Sequence, residues 1–360
     1  MEKNLNLLRI ELKSLKLDAL FLSNQHNVTY LSGFTGLSPN EREGFFLITR
    51  KHAYLLTFPT YFYLYKDSPG YFSSLNITRE KNIKKHLEEI VYEENIKRIG
   101  IEKENLTLSE LESLKKDIKT DFVGTENLVE NLRIIKTETE ISNIRYAAQI
   151  TDQAFDFIIK NIKKDQTEKD IALAIEFFIK KHADNIAFSP IVAFNDHAAI
   201  PHYLPTTNYK LQTKSLILLD FGAKISGYCS DMTRVIFYGT PKDEWLKIYN
   251  TVLKSQKLAL DAIKPGKTGQ EIDSVARNFI IKNGYPQYPH GLGHGVGLAI
   301  HESPRLKIDS KDILEESMIV TVEPGIYLEG DCGVRIEDLL IIKRPRTEIL
   351  STSTKELIIL

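Results

Sequence analysis

Residues 167–179 read Thr-Glu-Lys-Asp-Ile-Ala-Leu-Ala-Ile-Glu-Phe-Phe-Ile, and residues 268–280 read Thr-Gly-Gln-Glu-Ile-Asp-Ser-Val-Ala-Arg-Asn-Phe-Ile. A threonine opens each stretch, the first aliphatic is Ile171 or Ile272, and an aromatic follows in the same register at Phe178 and Phe279. Threonine favours a helix N-terminus because its hydroxyl accepts from an unpaired N–H of the first turn, and Glu271 makes the second stretch a capping box. Ile171, Ile175, Phe178 and Ile179 share one helical face, as do Ile272, Val275, Phe279 and Ile280. Another amphipathic helix precedes each. Ahead of the first, Thr137 and Glu140 form a capping box and Ile141, Ile144, Ala148, Phe155, Ile158 and Ile162 hold helical spacing; ahead of the second stand Trp245, Tyr249, Val252 and Leu253, before a stop near Pro265-Gly266. Strand-rich sequence follows each pair. The pattern predicts an internal repeat, two helix–helix–sheet halves facing each other across a pocket.

Residues 1–130 read as a separate small α/β domain. Leu7 to Leu17 has helical spacing, Leu17 to Ser23 reads as a strand, and Gly44–Arg50 with Ala53–Thr57 reads as a hairpin around Lys51-His52. Arg98–Glu102 is a short strand, and Thr107 with Glu110 caps a helix. Polar sequence from Gly124 to Asn131 marks the expected boundary, leaving residues 131–360 as the second domain.

Composition fits this division. A chain of 360 residues suits about two domains, and 42% hydrophobic with 26% charged residues is ordinary for a globular protein. The net charge of −1 gives no basis for a nucleic-acid or anionic-membrane partner. Two cysteines, Cys229 and Cys332, are too few for a disulfide framework and point to a reducing compartment. The charged N-terminus lacks the apolar core of a signal peptide, and no apolar run reaches membrane-spanning length, so a cytoplasmic protein is expected.

The chemistry is concentrated after residue 195. Asp220 follows the apolar run Leu216-Ile217-Leu218-Leu219, and Asp231 follows a turn at Ile225-Ser226-Gly227. A hairpin folded about its midpoint places these two acids opposite each other on one face, where they repel unless they share a proton or hold a cation. In Gly291-Leu292-Gly293-His294-Gly295-Val296-Gly297, His294 is the side chain able to bind a ligand, and the glycines let other groups approach it. His301 begins His301-Glu302-Ser303-Pro304. Glu323 ends the apolar run Met318–Val322 ahead of Pro324-Gly325, and Glu337 stands among apolar residues with Arg335 two places earlier on the same strand face. Four acids and one imidazole without thiolate form a set that can hold two divalent ions, with Mn²⁺, Co²⁺, Fe²⁺ or Zn²⁺ better suited than Mg²⁺.

These residues carry a resemblance. The sequence resembles the pita-bread metallopeptidases, in the branch containing aminopeptidase P, prolidase and creatinase. Leu17-Asp18-Ala19-Leu20 through Tyr30-Leu31-Ser32-Gly33-Phe34 is similar to the start of that family's N-terminal domain, and the five ligand positions are filled in order. The resemblance implies that Asp220 binds one metal, that Asp231 and Glu337 bridge both, and that His294 and Glu323 complete the second. It implies catalytic roles for His202, in Ile200-Pro201-His202-Tyr203, for His301, and for Glu323 as the group that takes a proton from water. Two departures stand out: Ala193-Phe194 where many relatives have Ser-Gly, and Glu316-Ser317 where a glycine is common.

The implied activity is hydrolysis of the bond between an N-terminal residue and proline, as dipeptidase or aminopeptidase, with two divalent ions, most characteristically Mn²⁺. The competing classes are a non-catalytic peptide-binding protein of the same fold and a creatinase-like C–N hydrolase; the intact ligand set speaks against both. Arg335 is expected to orient a ligand carboxylate rather than meet substrate, so the core motifs show no dedicated receptor for a substrate carboxylate. That role is left to His202 or a residue of the first domain, and cleavage of Xaa-Pro dipeptides and of some longer Xaa-Pro peptides is expected. The family resemblance further implies a homodimer, with Tyr61, Phe62, Tyr63 and Tyr65 as candidate contacts.

Overall fold

Thr107, Thr137, Thr167 and Thr268 each accept a hydrogen bond from the backbone N–H three residues on, and the acid there, Glu110, Glu140, Asp170 or Glu271, bonds back to the threonine N–H. The helices therefore start where the sequence signals them. In this computed structural model, which describes residues 1–38, 41–67 and 70–360, the chain divides into two units, Met1–Arg133 and Ile134–Leu360.

The first unit is an α/β layer. Its strands are β1 (Ala19–Leu22), β2 (Gly44–Thr49), β3 (Ala53–Thr57), β4 (Ser73–Asn76), β5 (Arg98–Glu102) and β6 (Asp121–Thr125), in the order β4-β3-β2-β1-β5-β6. The hairpin around Lys51-His52 is β2–β3, and β1 runs antiparallel to β2 but parallel to β5. Helices α1 (Glu2–Ser14), α2 (Gln25–Ser32), α3 (Pro59–Tyr65), α4 (Ile83–Glu93) and α5 (Leu108–Asp117) connect or flank the strands, and α6 (Glu130–Ile134) follows. Phe21, Leu47, Leu56, Leu87 and Ile99 form one core under the sheet. Of the α3 aromatics, Tyr61 and Tyr65 turn onto Phe34 while Tyr63 is exposed.

The second unit is the repeat. Helices α7 (Glu138–Asn161) and α8 (Glu168–His182) lead into β7 (Asn185–Ile186), β8 (Ile191–Phe194), β9 (Ser215–Phe221), β10 (Ala223–Ile225), β11 (Tyr228–Cys229) and β12 (Met232–Tyr238). Helices α9 (Asp243–Ala262) and α10 (Gly269–Lys282) lead into β13 (Gly293–Gly295), β14 (Glu302–Leu306), β15 (Ile319–Val322), β16 (Gly325–Leu328), β17 (Cys332–Arg335), β18 (Asp338–Ile341) and β19 (Glu348–Ile349). One sheet runs β12-β9-β8 and another β14-β13-β15-β18-β19, with small sheets β11-β10-β7 and β16-β17 beside them.

Both large sheets are covered on both faces. Ile217, Leu219 and Ile236 pack under α7–α8, whereas Leu216, Leu218 and Val235 face α9–α10. In the second sheet Val320 and Leu340 join the α9–α10 core, and Ile319, Leu339 and Ile341 meet Ile141 and Ile144 of α7. Double coverage explains why β9 is continuously apolar rather than alternating. Each such aliphatic contributes roughly 1.5–3 kcal/mol on full burial. Ala193 and Phe194 are buried in these cores, so their departure from the family pattern falls on packing and not on the cleft. Among the described residues, no helix is long and apolar enough to cross a membrane.

Two local expectations need correction. Asp220 lies opposite Thr233 rather than Asp231, because the β9–β12 hairpin turns at Ser226-Gly227, both with positive φ, one position beyond the expected midpoint. The opposed position moves by two residues, so Asp231 keeps the face but becomes a diagonal neighbour of Asp220. Glu337 is not on a strand with Arg335; it occupies the short break between β17 and β18.

Candidate dinuclear metal centre

Strand ends converge on one cleft of about 620 Å³, and His202, Asp220, Asp231, His294, His301, Glu323 and Glu337 all line it. Ligand atoms of Asp231, His294 and Glu337 lie within 4.8 Å of one another. His294 Nε2 is 3.3 Å from Glu323 Oε1 and 3.7 Å from Asp231 Oδ2. Close backbone approach makes this geometry possible: at Gly293 a Cβ would fall 2.0 Å from the Thr321 carbonyl, and at Gly295 2.2 Å from that of Ser303. Glycine is therefore required at both positions.

The acids are half satisfied. Asp220 Oδ2 accepts from Arg335 Nη2 at 2.5 Å, while its buried Oδ1 has no partner among the described residues. Glu337 Oε2 accepts from the Thr233 hydroxyl at 2.7 Å, while its buried Oε1 likewise has none. Glu323 Oε1 accepts from Thr321 Oγ1 at 3.1 Å. Each of these carboxylates spends one oxygen on a protein donor. Buried oxygens left without donors are costly unless a cation takes them.

Electrostatics agree. Burial pushes Asp231 well above the usual carboxylate range, followed by repulsion from Glu337 and Asp220. Glu337 is also pushed well above it by burial, then by Glu323 and Asp220. Asp220 is raised by burial, against the pull of Arg335. Burial would raise Glu323 too, but the hydrogen bond and charge of His294, with His290 and Arg335, bring it below the ordinary value. A divalent cation among these carboxylates would favour their ionised form. The donor set thus fits divalent cations, with Asp220, Asp231, His294, Glu323 and Glu337 placed to hold them.

His202 and His301 stand exposed at the mouth of the cleft. His301 packs edge-on against His294, ring centroids 4.4 Å apart, and burial with the charges of His294 and Arg305 lowers it to about 4. Arg335 also donates to the Tyr327 hydroxyl at 2.9 Å, and His290 Nε2 lies 2.8 Å from the same oxygen.

Three groups of the site lie outside the sequence motifs. Thr233 meets Glu337 only through the fold, and no local signal marks it. Tyr327 had one available sign, its place just after the Glu323-Pro324-Gly325 turn. Arg305 lines the cleft near His301, and among the described residues its guanidinium makes no ion pair, whereas neighbouring Lys307 pairs with Asp309 at 3.2 Å.

A sheet-framed cleft holding acids and one imidazole for divalent ions defines a metallohydrolase, and comparison with known proteins makes this specific. Residues 142–344 match metallopeptidase family M24 and residues 5–135 match the creatinase/prolidase N-terminal domain; this chain belongs to family M24 and is a peptidase that works with divalent metal ions. It is 37% identical to the Xaa-Pro dipeptidase of Pyrococcus horikoshii over 95% of each chain. Its structure resembles the Xaa-Pro dipeptidase from Bacillus anthracis (TM-score 0.94, 38% identity, 99% of each chain). It also resembles the X-Pro aminopeptidase from Thermotoga maritima (TM-score 0.87, 34% identity, 96% of this chain and 98% of that one).

Proposed function

We propose that this protein hydrolyses the bond before proline in Xaa-Pro peptides and that dipeptides are its preferred substrates. The observation that carries the dipeptide reading is Arg305, a cation in the cleft wall without an acidic partner among the described residues. A dipeptide places its free carboxylate one residue beyond the scissile bond, and a guanidinium is suited to accept it. The dipeptidase relatives support the same reading.

Divalent ions, when bound, supply the Lewis acidity that makes water a nucleophile near neutral pH and polarises the scissile carbonyl. Asp220, Asp231, His294, Glu323 and Glu337 would hold them, and the oxygen-rich set with one imidazole favours Mn²⁺. Glu323, beside His294 in the cleft, accepts the proton of the attacking water and passes it toward the leaving nitrogen. That transfer matters because proline's nitrogen carries no hydrogen before cleavage. His202 and His301 donate to the oxygen on which negative charge develops, His301 as a neutral imidazole. Arg335 and Thr233 keep Asp220 and Glu337 turned inward.

The test compares a Xaa-Pro dipeptide with the same peptide amidated at its C-terminus, in wild type and Arg305→Ala. Loss of about a hundredfold in kcat/KM on the dipeptide alone supports the carboxylate receptor; equal loss on both substrates leaves a Xaa-Pro peptidase without length preference. A cytoplasmic homodimer is proposed with it, Tyr63 and Leu64 of α3 being exposed apolar candidates for the contact; light scattering at micromolar concentration tests the assembly.

A further inference from the structure

His197 precedes His202 by one turn of 3₁₀-helix and a short loop, and it does not line the cleft. Its Nδ1 lies 2.8 Å from Oε1 of Glu168, the first residue of α8. The same Oε1 accepts the Phe194 N–H at 2.9 Å. Oε2 accepts the Tyr203 hydroxyl at 2.9 Å, and Thr206 Oγ1 and N at 3.3 and 3.5 Å. Glu168 is fully buried. Burying a carboxylate is costly, and here the cost is offset by a ring of donors and by the positive end of α8.

All of those donors belong to the segment that carries His202. Residues 200–208 lie outside helices and strands, and His202 itself is exposed, so regular backbone structure does not set its direction. Its predecessor Pro201 offers its carbonyl to Arg335 Nη2 at 3.4 Å, and its successor Tyr203 is tied to Glu168 and stacked on His197 with ring centroids 4.5 Å apart. The first tie is long, and the second is the short one. We infer that Glu168 is a positioning residue: through His197, Tyr203 and Thr206, its carboxylate fixes the segment that aims His202 at the scissile carbonyl.

The repeat-related helix carries a parallel arrangement. Asp273 of α10, fully buried, accepts the Leu292 N–H at 3.0 Å and pairs with Arg277, whose guanidinium donates to the Tyr288 and His290 carbonyls at 2.8 and 2.9 Å. Each half thus uses a buried acid on its second helix to hold the segment that brings in a histidine. The inference rests on the role given above to His202, and its test separates the two.

Glu168→Gln and Tyr203→Phe are made in the full chain, alone and combined with His202→Ala, and assayed with a Xaa-Pro dipeptide at saturating Mn²⁺. Each single substitution is expected to lower kcat by about tenfold, with KM and metal content unchanged within about twofold. In the His202→Ala background the same substitutions should change kcat by less than about twofold, because the group they aim is gone. Unchanged kcat in both single variants, or an equal loss with and without His202, overturns the inference. Should Glu168→Gln fail to fold, Tyr203→Phe decides alone. If the wild-type protein does not cleave Xaa-Pro peptides, the proposed function falls instead. Hydrogen exchange across residues 195–206 then decides the positioning role: faster exchange in Tyr203→Phe supports it, and unchanged exchange overturns it.

Discussion

The Thr233 hydroxyl donates to Glu337 Oε2 at 2.7 Å and receives Arg335 Nε at 3.1 Å, so one side chain both orients a carboxylate and links it to the cation that orients Asp220. Replacing Thr233 with valine keeps the shape and removes both bonds. Divalent-ion affinity should weaken by about tenfold to a hundredfold, the scale of losing a ligand's supporting hydrogen bond. Titration of the stripped protein with Mn²⁺ measures it, and unaltered affinity would show that Glu337 needs no such support.

Ligands and helpers should separate cleanly. Asp231→Asn and Glu337→Gln are expected to lose metal occupancy together with rate. His202→Ala and His301→Ala should retain their metals by elemental analysis yet lose about a hundredfold in kcat, as for a lost oxyanion donor. Metal-free histidine variants would reverse the assignment.

Removing the ions should make stability depend on pH in a definite sense. Burial raises Asp220, Asp231 and Glu337, so without metal the folded state holds more protons than the unfolded one above about pH 4, and stability falls as pH rises through the raised values. Divalent ions displace those protons and reverse the trend. His290 and His301, lowered by burial, act oppositely below about pH 6.5, so the comparison belongs above neutrality. The Tm gap between Mn²⁺-loaded and chelated protein should widen as pH rises through the raised carboxylate values. A constant gap would mean that these carboxylates are not what the ions bind.

Ser317 has φ +67°, in the left-handed region that favours glycine. That conformation costs a residue with a Cβ roughly 1–2 kcal/mol, against roughly 0.5–1 kcal/mol of extra chain entropy lost by glycine. Ser317→Gly should therefore raise Tm by about 1–3 °C in a thermal scan at fixed metal concentration. A lowered Tm would show that the serine side chain contributes more than its backbone strain costs.

Much of this architecture is legible because it rests on local signals. Thr137 with Glu140 and Thr268 with Glu271 mark helix starts through bonds made within a single turn. His294 is conspicuous because its neighbours must be glycine for the backbone to close around it. The Asp220–Asp231 register is not legible, because it is set by a turn whose Ser226 adopts a positive φ that serine rarely takes. Thr233, Glu168 and Arg305 were invisible for a different reason. Each acts through a partner or a cleft assembled from distant chain segments, and an ordinary Thr, Glu or Arg in an ordinary setting carries no sign of it.

The two cysteines have a practical consequence. Cys229 lies in the first half of the repeat and Cys332 in the second, both fully enclosed, and burial, aided by Asp331, pushes the Cys332 thiol up to about 12. Neither sulfur is free to react with an alkylating reagent while its half is intact. The molecule therefore contains two silent reporters, one per half. Pulse labelling followed by mass spectrometry would reveal which half opens first under denaturant and whether the halves part together.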